Sequence, residues 1–325
     1  MKFGSLKKSY LVTSVTCLFV FTLLFFYSCS SELLADTEDV INRSFNVSEG
    51  GTLNMDVSRG SIEVDTGKGE VVKVKVIRRV GTSSENRAQE IFGKYKIDFH
   101  HSDRDVTIET DDHTRSRGFF SWLKGVNLQV RFIVTVPEKY NLNLKTSGGS
   151  ISVSEIQGEV KAKTSGGSLT FDYVKGPVWG RTSGGSIKLD GCSGDVDVNT
   201  SGGGIRIGAV EGDVKAVTSG GSVHVKEVMG MINARTSGGS MSATISSQPE
   251  GDCSLTTSGG SITINVVDDI KVNLDAKTSG GKVSTDFPIT IKGEISKRRI
   301  KGKINGGGPE LYLRTSGGSI RIKKL

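Results

Sequence analysis

Metal-ligand residue types come close together at one place in the sequence. His100, His101 and His113 lie among several aspartates, and imidazole and carboxylate groups are the ligands that divalent metals use in proteins. The spacing of these residues matches no known metal site, and a polar surface hairpin explains them equally well. We therefore predict that the protein holds no metal and no cofactor.

The residues that catalysis on a β-helix requires are also scattered. A polysaccharide lyase needs clustered carboxylates for Ca²⁺ and a basic proton acceptor, whereas Asp190, Asp195, Asp197 and Asp213 are scattered over the repeats. No serine stands in a nucleophile elbow with a histidine partner, and His224, between two valines, is expected to face outward. We predict that the protein is not an enzyme, with a carbohydrate-active enzyme as the alternative.

Basic residues recur immediately before copies of the string Thr-Ser-Gly-Gly. If the copies stack, these residues form a broken basic stripe along one face, and such a stripe attracts anionic envelope polymers. Charges of this kind also discourage edge-to-edge aggregation, which is the alternative interpretation. The candidate site residues are Lys145, Lys163, Arg181, Arg235, Lys277 and Arg314.

The partner class follows from the charge pattern. The formal net charge is +7, but acidic and basic residues are interspersed along the chain, which is not typical of nucleic-acid binding. We therefore predict no nucleic acid, and an anionic envelope polymer or a surface protein as the partner.

A second candidate contact is an aromatic patch. Phe119, Phe120 and Trp122 have the basic neighbours Arg117 and Lys124, a combination that suits a membrane surface or a protein contact. A cap over the open end of a repeat structure would use the same residues.

The N-terminus has the pattern of an export signal. Three lysines precede an uncharged stretch over residues 10–27, and Ser28 and Cys29 follow, so we predict a signal peptide over residues 1–28. Cys29 is the predicted lipidation site, and residues 29–44 are the predicted tether to the lipid bilayer. An uncleaved signal anchor in the inner membrane is the alternative. Export to the envelope, at the outer membrane or cell surface, is favoured.

The string Thr-Ser-Gly-Gly dominates the rest of the chain. Its first six copies are 18 residues apart, and each unit contains two runs of alternating apolar residues and two glycine corners. Stacked units would bury one continuous core, so we predict an all-β protein, a β-solenoid or β-helix of 18-residue repeats with two short strands each. The paired glycines are expected to supply positive φ angles and close backbone approach. The nine copies begin at Thr146, Thr164, Thr182, Thr200, Thr218, Thr236, Thr257, Thr278 and Thr315.

The repeat defines the remaining organisation. We predict a looser N-terminal β-region over residues 45–145, with a worn repeat at 53–64, a helix within 83–95 and an excursion near 100–124, and the repeat solenoid over 146–325. The 305–308 segment is interpreted as a remnant of a repeat. Cys192 and Cys253 fall in aliphatic core columns too far apart for a disulfide, and we predict two unpaired buried thiols.

These features resemble a known family. Iterated Thr-Ser-Gly-Gly-Ser-Ile, the preceding Val134–Leu144 segment and the closing Leu311–Ile322 segment are similar to bacterial adhesin-type proteins with β-strand repeats, a domain of unknown function related to auto-transporter adhesin heads. The resemblance covers about residues 45–325. It implies a β-solenoid at the cell envelope and, by its name, adhesion, and it implies no catalytic residues.

The sequence thus predicts an exported, membrane-anchored, non-catalytic structural or binding module of adhesin type. The alternatives are a carbohydrate-active enzyme on a β-helix and an envelope-stress accessory or sensor protein.

Overall fold

The chain winds through two long, mainly parallel sheets whose inner faces enclose one apolar core. The computed structural model describes residues 36–82, 84–110, 127–291 and 296–325. We name the sheet that contains Asn141–Thr146 sheet B and the sheet that contains Ile151–Val153 sheet A. A strand of sheet B followed by a strand of sheet A makes one rung, and eleven such rungs are stacked within these residues. The predicted all-β solenoid is confirmed, because alternating side chains of both sheets are buried while the others face outward.

The middle of the stack follows the repeat. Val160, Val178, Val196 and Val214 stand opposite one another in successive strands of sheet B, as the 18-residue period predicts. Sheet B contains β8 (Asn141–Thr146), β11 (Val160–Lys163), β13 (Val178–Arg181), β15 (Val196–Thr200), β17 (Val214–Thr218), β19 (Ile232–Arg235) and β21 (Cys253–Thr257). Sheet A contains β9 (Ile151–Val153), β10 (Ile156–Gln157), β12 (Leu169–Lys175), β14 (Ile187–Cys192), β16 (Ile205–Val210), β18 (Val223–Val228), β20 (Met241–Ile245) and β22 (Ile262–Val266).

The Thr-Ser-Gly-Gly corner is held by a buried hydroxyl ladder. The hydroxyl of Thr164 donates to the carbonyl oxygen of Gly149 in the preceding rung at 2.7 Å, and the contact recurs at each later copy. The second glycine allows this approach, since a Cβ on Gly167 would lie 2.1 Å from the carbonyl oxygen of Gly149. The described paired glycines of this corner do not have positive φ, so the prediction of left-handed turns at these glycines was wrong. The predicted close backbone approach is present, and it requires the second glycine of each pair.

At the N-terminal end the rung order departs from the chain order. β2 (Thr52–Val57) and β3 (Ser61–Gly67) form a rung, which confirms the worn repeat, but a later rung covers it: β6 (Val106–Thr110) pairs with β2, and β7 (Leu128–Pro137) pairs with β3.

Antiparallel strands close this end. They are β1 (Asp36–Asn46), β4 (Val71–Gly81) and β5 (Ile97–His101). Helix α1 (Glu85–Lys94) begins at the N-cap Ser84 and buries Ala88, Ile91 and Phe92 in the core, as expected for residues 83–95. Since β1 begins at Asp36, the predicted tether over residues 29–44 was wrong from that residue onward.

The C-terminal end has the same arrangement in reverse. β27 (Glu310–Thr315) lies between β21 and β23 (Val272–Thr278), and β28 (Ile320–Lys324) lies between β22 and β24 (Val283–Thr285). The last rung of the chain is therefore the second-last rung of the stack. β26 (Arg299–Ile304) pairs antiparallel with β23 and covers the edge of sheet B at this end, and β25 (Thr290–Ile291) pairs antiparallel with β26.

Residues 305–308 are a turn and not a remnant of a repeat. Asn305, Gly306 and Gly307 have φ angles of 48°, 92° and 86°, a left-handed conformation that favours glycine and asparagine. This turn sends the chain from the covering strand β26 back into the stack.

Candidate functional site

The six predicted basic residues share one column on the outer face of sheet B. Lys145 lies beside Lys163, and Lys163 lies beside Arg181, because each occupies the same position of its strand. Asn199, Val217, Arg235 and Thr256 continue the column, and Arg314 and Lys277 complete it. The stripe is thus continuous in register but is interrupted by three uncharged residues.

Three of the six basic residues are neutralised by neighbouring rungs. Lys145 pairs with Asp56 at 2.6 Å. Arg181 pairs with Asp197 at 2.8 Å, and Arg314 pairs with Asp275 at the same distance. Within the described part of the chain, the other three form no ion pair: Lys163, Arg235 and Lys277.

The two arginines are held in the same way. The guanidinium of Arg181 lies 4.6 Å from the centre of the Trp179 ring and donates to the backbone oxygen of Asp197 in the next rung. The guanidinium of Arg314 lies 4.0 Å from the centre of the Tyr312 ring and donates to the backbone oxygen of Asp275.

These aromatic and acidic partners were not predicted from the sequence. The available signal was the outward position two residues before each arginine, which Trp179 and Tyr312 occupy.

The outer face of sheet A provides a comparison. Lys188, Arg206 and His224 stand in adjacent rungs, and the exposed His224 ring contacts the hydroxyl of Ser242 through Nδ1 at 2.5 Å. The outward orientation predicted for His224 is confirmed. Lys188 is paired with Asp190.

The two cysteines of the described residues lie in the core. Cys192 and Cys253 are buried and unpaired, as predicted, and burial raises the pKa of the Cys192 thiol to about 11.

His100 and His101 lie on β5, where Nε2 of His101 contacts the backbone oxygen of Asn46. Among the described residues, no group of three or more histidine, cysteine, aspartate or glutamate side chains is arranged to hold a metal.

Several predicted sites fall outside the described residues. These are Cys29, His113 and the aromatic patch of Phe119, Phe120 and Trp122. The strands that flank the patch in sequence, β6 and β7, form the outermost rung at the N-terminal end, beside β4 and β5. In the part of the chain that is described, no helix has the length and apolar character needed to span a bilayer.

Three solved structures of bacterial proteins show low similarity to the chain. A candidate cell adhesion protein from Clostridium sporogenes is 16% identical, with a TM-score of 0.26 and coverage of 90% of this chain and 100% of its own. A candidate lipid-binding protein from Parabacteroides distasonis is 13% identical, with a TM-score of 0.41 and coverage of 88% and 97%. A candidate adhesin from Parabacteroides merdae is 10% identical, with a TM-score of 0.43 and coverage of 88% and 96%.

The sequence comparisons give a family. No curated protein matches the chain. The model of one family matches residues 51–323, which include the rungs at both ends of the stack as well as the repeats between them. The chain therefore belongs to the Toastrack DUF4097 family.

Proposed function

We propose that the protein is an exported, membrane-anchored binding module of the cell envelope that holds an anionic polymer on the outer face of sheet B and performs no catalysis. The observation that carries this proposal is the basic column with its three unpaired members, Lys163, Arg235 and Lys277, on an exposed and regular sheet face.

The spacing of the unpaired charges favours a polymer over a small anion. Four rungs separate Lys163 from Arg235, and three separate Arg235 from Lys277. With strands about 4.8 Å apart, these separations are about 19 Å and 14 Å. A single phosphate or carboxylate contacts one of these cations at most. A polymer with repeated charges contacts all three, and linked contacts strengthen one another.

Export and anchoring place this face outside the cytoplasm. The N-terminal pattern of residues 1–28 supports export, and Cys29 supports a lipid anchor. Seven residue steps separate Cys29 from the first residue of β1, so the anchor would lie within about 25 Å of Asp36. The N-terminal end of the stack would then be next to the bilayer, with the basic column extending away from it.

Intact-mass analysis of protein purified from native membranes tests the anchor. The expected mass is that of a chain that begins at an acylated Cys29. A full-length mass would contradict lipidation and indicate an uncleaved N-terminal anchor.

Binding of polyphosphate tests the basic column. We expect the triple variant K163Q/R235Q/K277Q to bind about tenfold to hundredfold more weakly at low salt, because three exposed cations each contribute about 0.5–1 kcal/mol. The salt dependence of binding should fall with it. The matched control is R206Q/K226Q/K323Q on the outer face of sheet A, which also removes two lysines and one arginine that form no ion pair in the described part of the chain. Equal losses in both variants would show that net charge, and not the column, governs binding.

A further inference from the structure

We infer that the polymer bound on sheet B is a linear acidic polysaccharide that lies along the stack, with Trp179 and Tyr312 as two platforms for its sugar rings. This inference rests on the proposed function and names the class of ligand.

The two rings lie in one outward column. From Trp179 the column passes through Asp197, Lys215, Asn233 and Ser254 to Tyr312. Both residues are partly buried and partly exposed. Five rungs separate them, which corresponds to about 24 Å along the stack axis. Two aromatic side chains thus mark the two ends of a straight, polar track.

Each platform is fixed before a ligand arrives. Arg181 lies over one face of the Trp179 ring and is held by the backbone oxygen and the carboxylate of Asp197 in the next rung. Arg314 lies over one face of the Tyr312 ring and is held in the same way by Asp275, so a sugar ring would pack on the other face of each aromatic ring. Side chains that are already ordered lose less conformational entropy on binding, so these positions favour recognition of a rigid ring.

A purely structural role for the two arginine–aromatic–aspartate clusters does not explain why aromatic residues are present. The arginines do link adjacent rungs, and that role accounts for both the arginines and the aspartates. It does not require the rings, because the same column position is occupied by Asn143 and Lys161 in the rungs before Trp179. Large, partly exposed aromatic surfaces in a polar column are typical of contact sites, where they add apolar area with a polar rim.

The chemistry of the track fits a charged sugar chain. The apolar faces of sugar rings pack on Trp179 and Tyr312, and Asn233 and Ser254 between them offer hydrogen-bonding groups for hydroxyls. The cationic column lies two residues farther along each strand, about 7 Å away. Carboxylates on one side of the polysaccharide would therefore approach Lys163, Arg235 and Lys277.

Three probes separate rings from charge. Polygalacturonate has sugar rings and carboxylates, its full methyl ester has the same rings without charge, and polyphosphate has charge without rings. Binding of each to the full chain in detergent is measured for the wild-type protein, for W179A/Y312A and for the ring-preserving variant W179F/Y312F. Unfolding curves confirm that each variant is folded.

We expect W179A/Y312A to bind polygalacturonate roughly tenfold more weakly, to lose its weak binding of the methyl ester and to bind polyphosphate unchanged. W179F/Y312F should keep most of the affinity for polygalacturonate. If the alanine variant does not fold, binding of the uncharged methyl ester by the wild-type protein tests the inference, and no binding of the ester would overturn it. The inference is overturned if wild-type protein does not bind polygalacturonate, or if removing the rings leaves that binding unchanged. Retained binding of polyphosphate in either case would leave the proposed function standing, whereas loss of all three wild-type interactions would reject both.

Discussion

Between β11 and β22 each rung lies on the rung that precedes it in the sequence, whereas at both ends the spatial order departs from the order of the chain. The middle is modular, since identical neighbours meet through the same threonine ladder and the same glycine contact. The ends differ, because the first rung of the chain (β2 and β3) and the last (β27 and β28) are not the outermost rungs of the stack. The first rung lies between the second and third rungs of the chain, and the last lies between the two rungs that precede it.

The difference shows how an open repeat structure ends. A solenoid of identical rungs leaves two sets of unpaired strand edges, which invite association with other chains. Here the chain returns at both ends and adds an outer rung. Antiparallel strands cover both sheets of that rung at the N-terminal end and sheet B at the C-terminal end. The first and last rungs of the described chain, β2 with β3 and β27 with β28, thereby have strands on both sides.

The largest expected effect comes from breaking an end. Removing residues 310–325 deletes β27 and β28, and with them the buried Leu311, Leu313, Ile320 and Ile322. Each buried aliphatic side chain contributes about 1.5–3 kcal/mol, so we expect the C-terminal rungs to unfold. Thermal unfolding and limited proteolysis measure the loss.

The matched deletion removes one repeat from the middle. Without residues 201–218, Thr200 joins Ser219 and every core column keeps its type of residue. We expect this shorter stack to fold with a melting temperature within a few degrees of the original, since nearest-neighbour contacts determine the stability of repeat proteins. A larger loss for the internal deletion than for the C-terminal truncation would refute the distinction between middle and ends.

Glycine substitutions give an intermediate effect. Gly167→Ala should cost about 2–4 kcal/mol in free energy of unfolding, because the new Cβ would lie 2.1 Å from a backbone oxygen. The adjacent Gly166→Ala is the control, with its Cβ 3.6 Å from the nearest atom and an expected cost below about 1 kcal/mol.

At the C-terminal turn the reason for glycine is different. A Cβ on Gly306 meets nothing within 4 Å, but its φ of 92° should make Gly306→Ala cost about 1–2 kcal/mol. Urea unfolding of the three variants would contradict this account if Gly166→Ala were the most destabilising.

The smallest effect concerns a core column and depends on pH. Burial raises the pKa of the Cys192 thiol from about 9 to about 11, so between these values the unfolded chain binds fewer protons than the folded one. The free energy of unfolding should therefore fall as the pH rises from 9 to 11. Cys192→Val, which matches the column neighbours Val174 and Val210, should be tolerated near neutral pH and should reduce that fall. An unchanged pH dependence in the variant would show that the thiol does not contribute.

The regular part of the fold could be predicted from the sequence because periodicity determines register there. The valine column, the buried Cys192 and the common column of Lys145, Lys163, Arg181 and Arg235 follow from an 18-residue offset. Cys253, Lys277 and Arg314 follow from their positions relative to copies of Thr-Ser-Gly-Gly that are spaced by 21 or 37 residues. The order of rungs at the ends does not follow, because the rung of Thr315 has the same repeat chemistry as its neighbours and fits equally well after Thr257 or after Thr278.

The same limit applies to the candidate site. The pairing of Arg314 with Asp275 depends on β27 lying beside β23, and no local pattern encodes that adjacency. The pairing of Arg181 with Asp197 links successive repeats, so it could have been predicted by aligning the 18-residue repeats. Which basic residues remain unpaired therefore required the three-dimensional arrangement.

The central claim is that the outer face of sheet B, and not that of sheet A, binds an anionic polymer. Its most direct test is amine-reactive labelling of the full chain with and without polyphosphate, followed by mass spectrometry of individual lysines. The account predicts that the polymer protects Lys163 and Lys277 while labelling of Lys188 and Lys226 on the opposite sheet is unchanged. Equal protection on both sheets, or protection of sheet A alone, would contradict it.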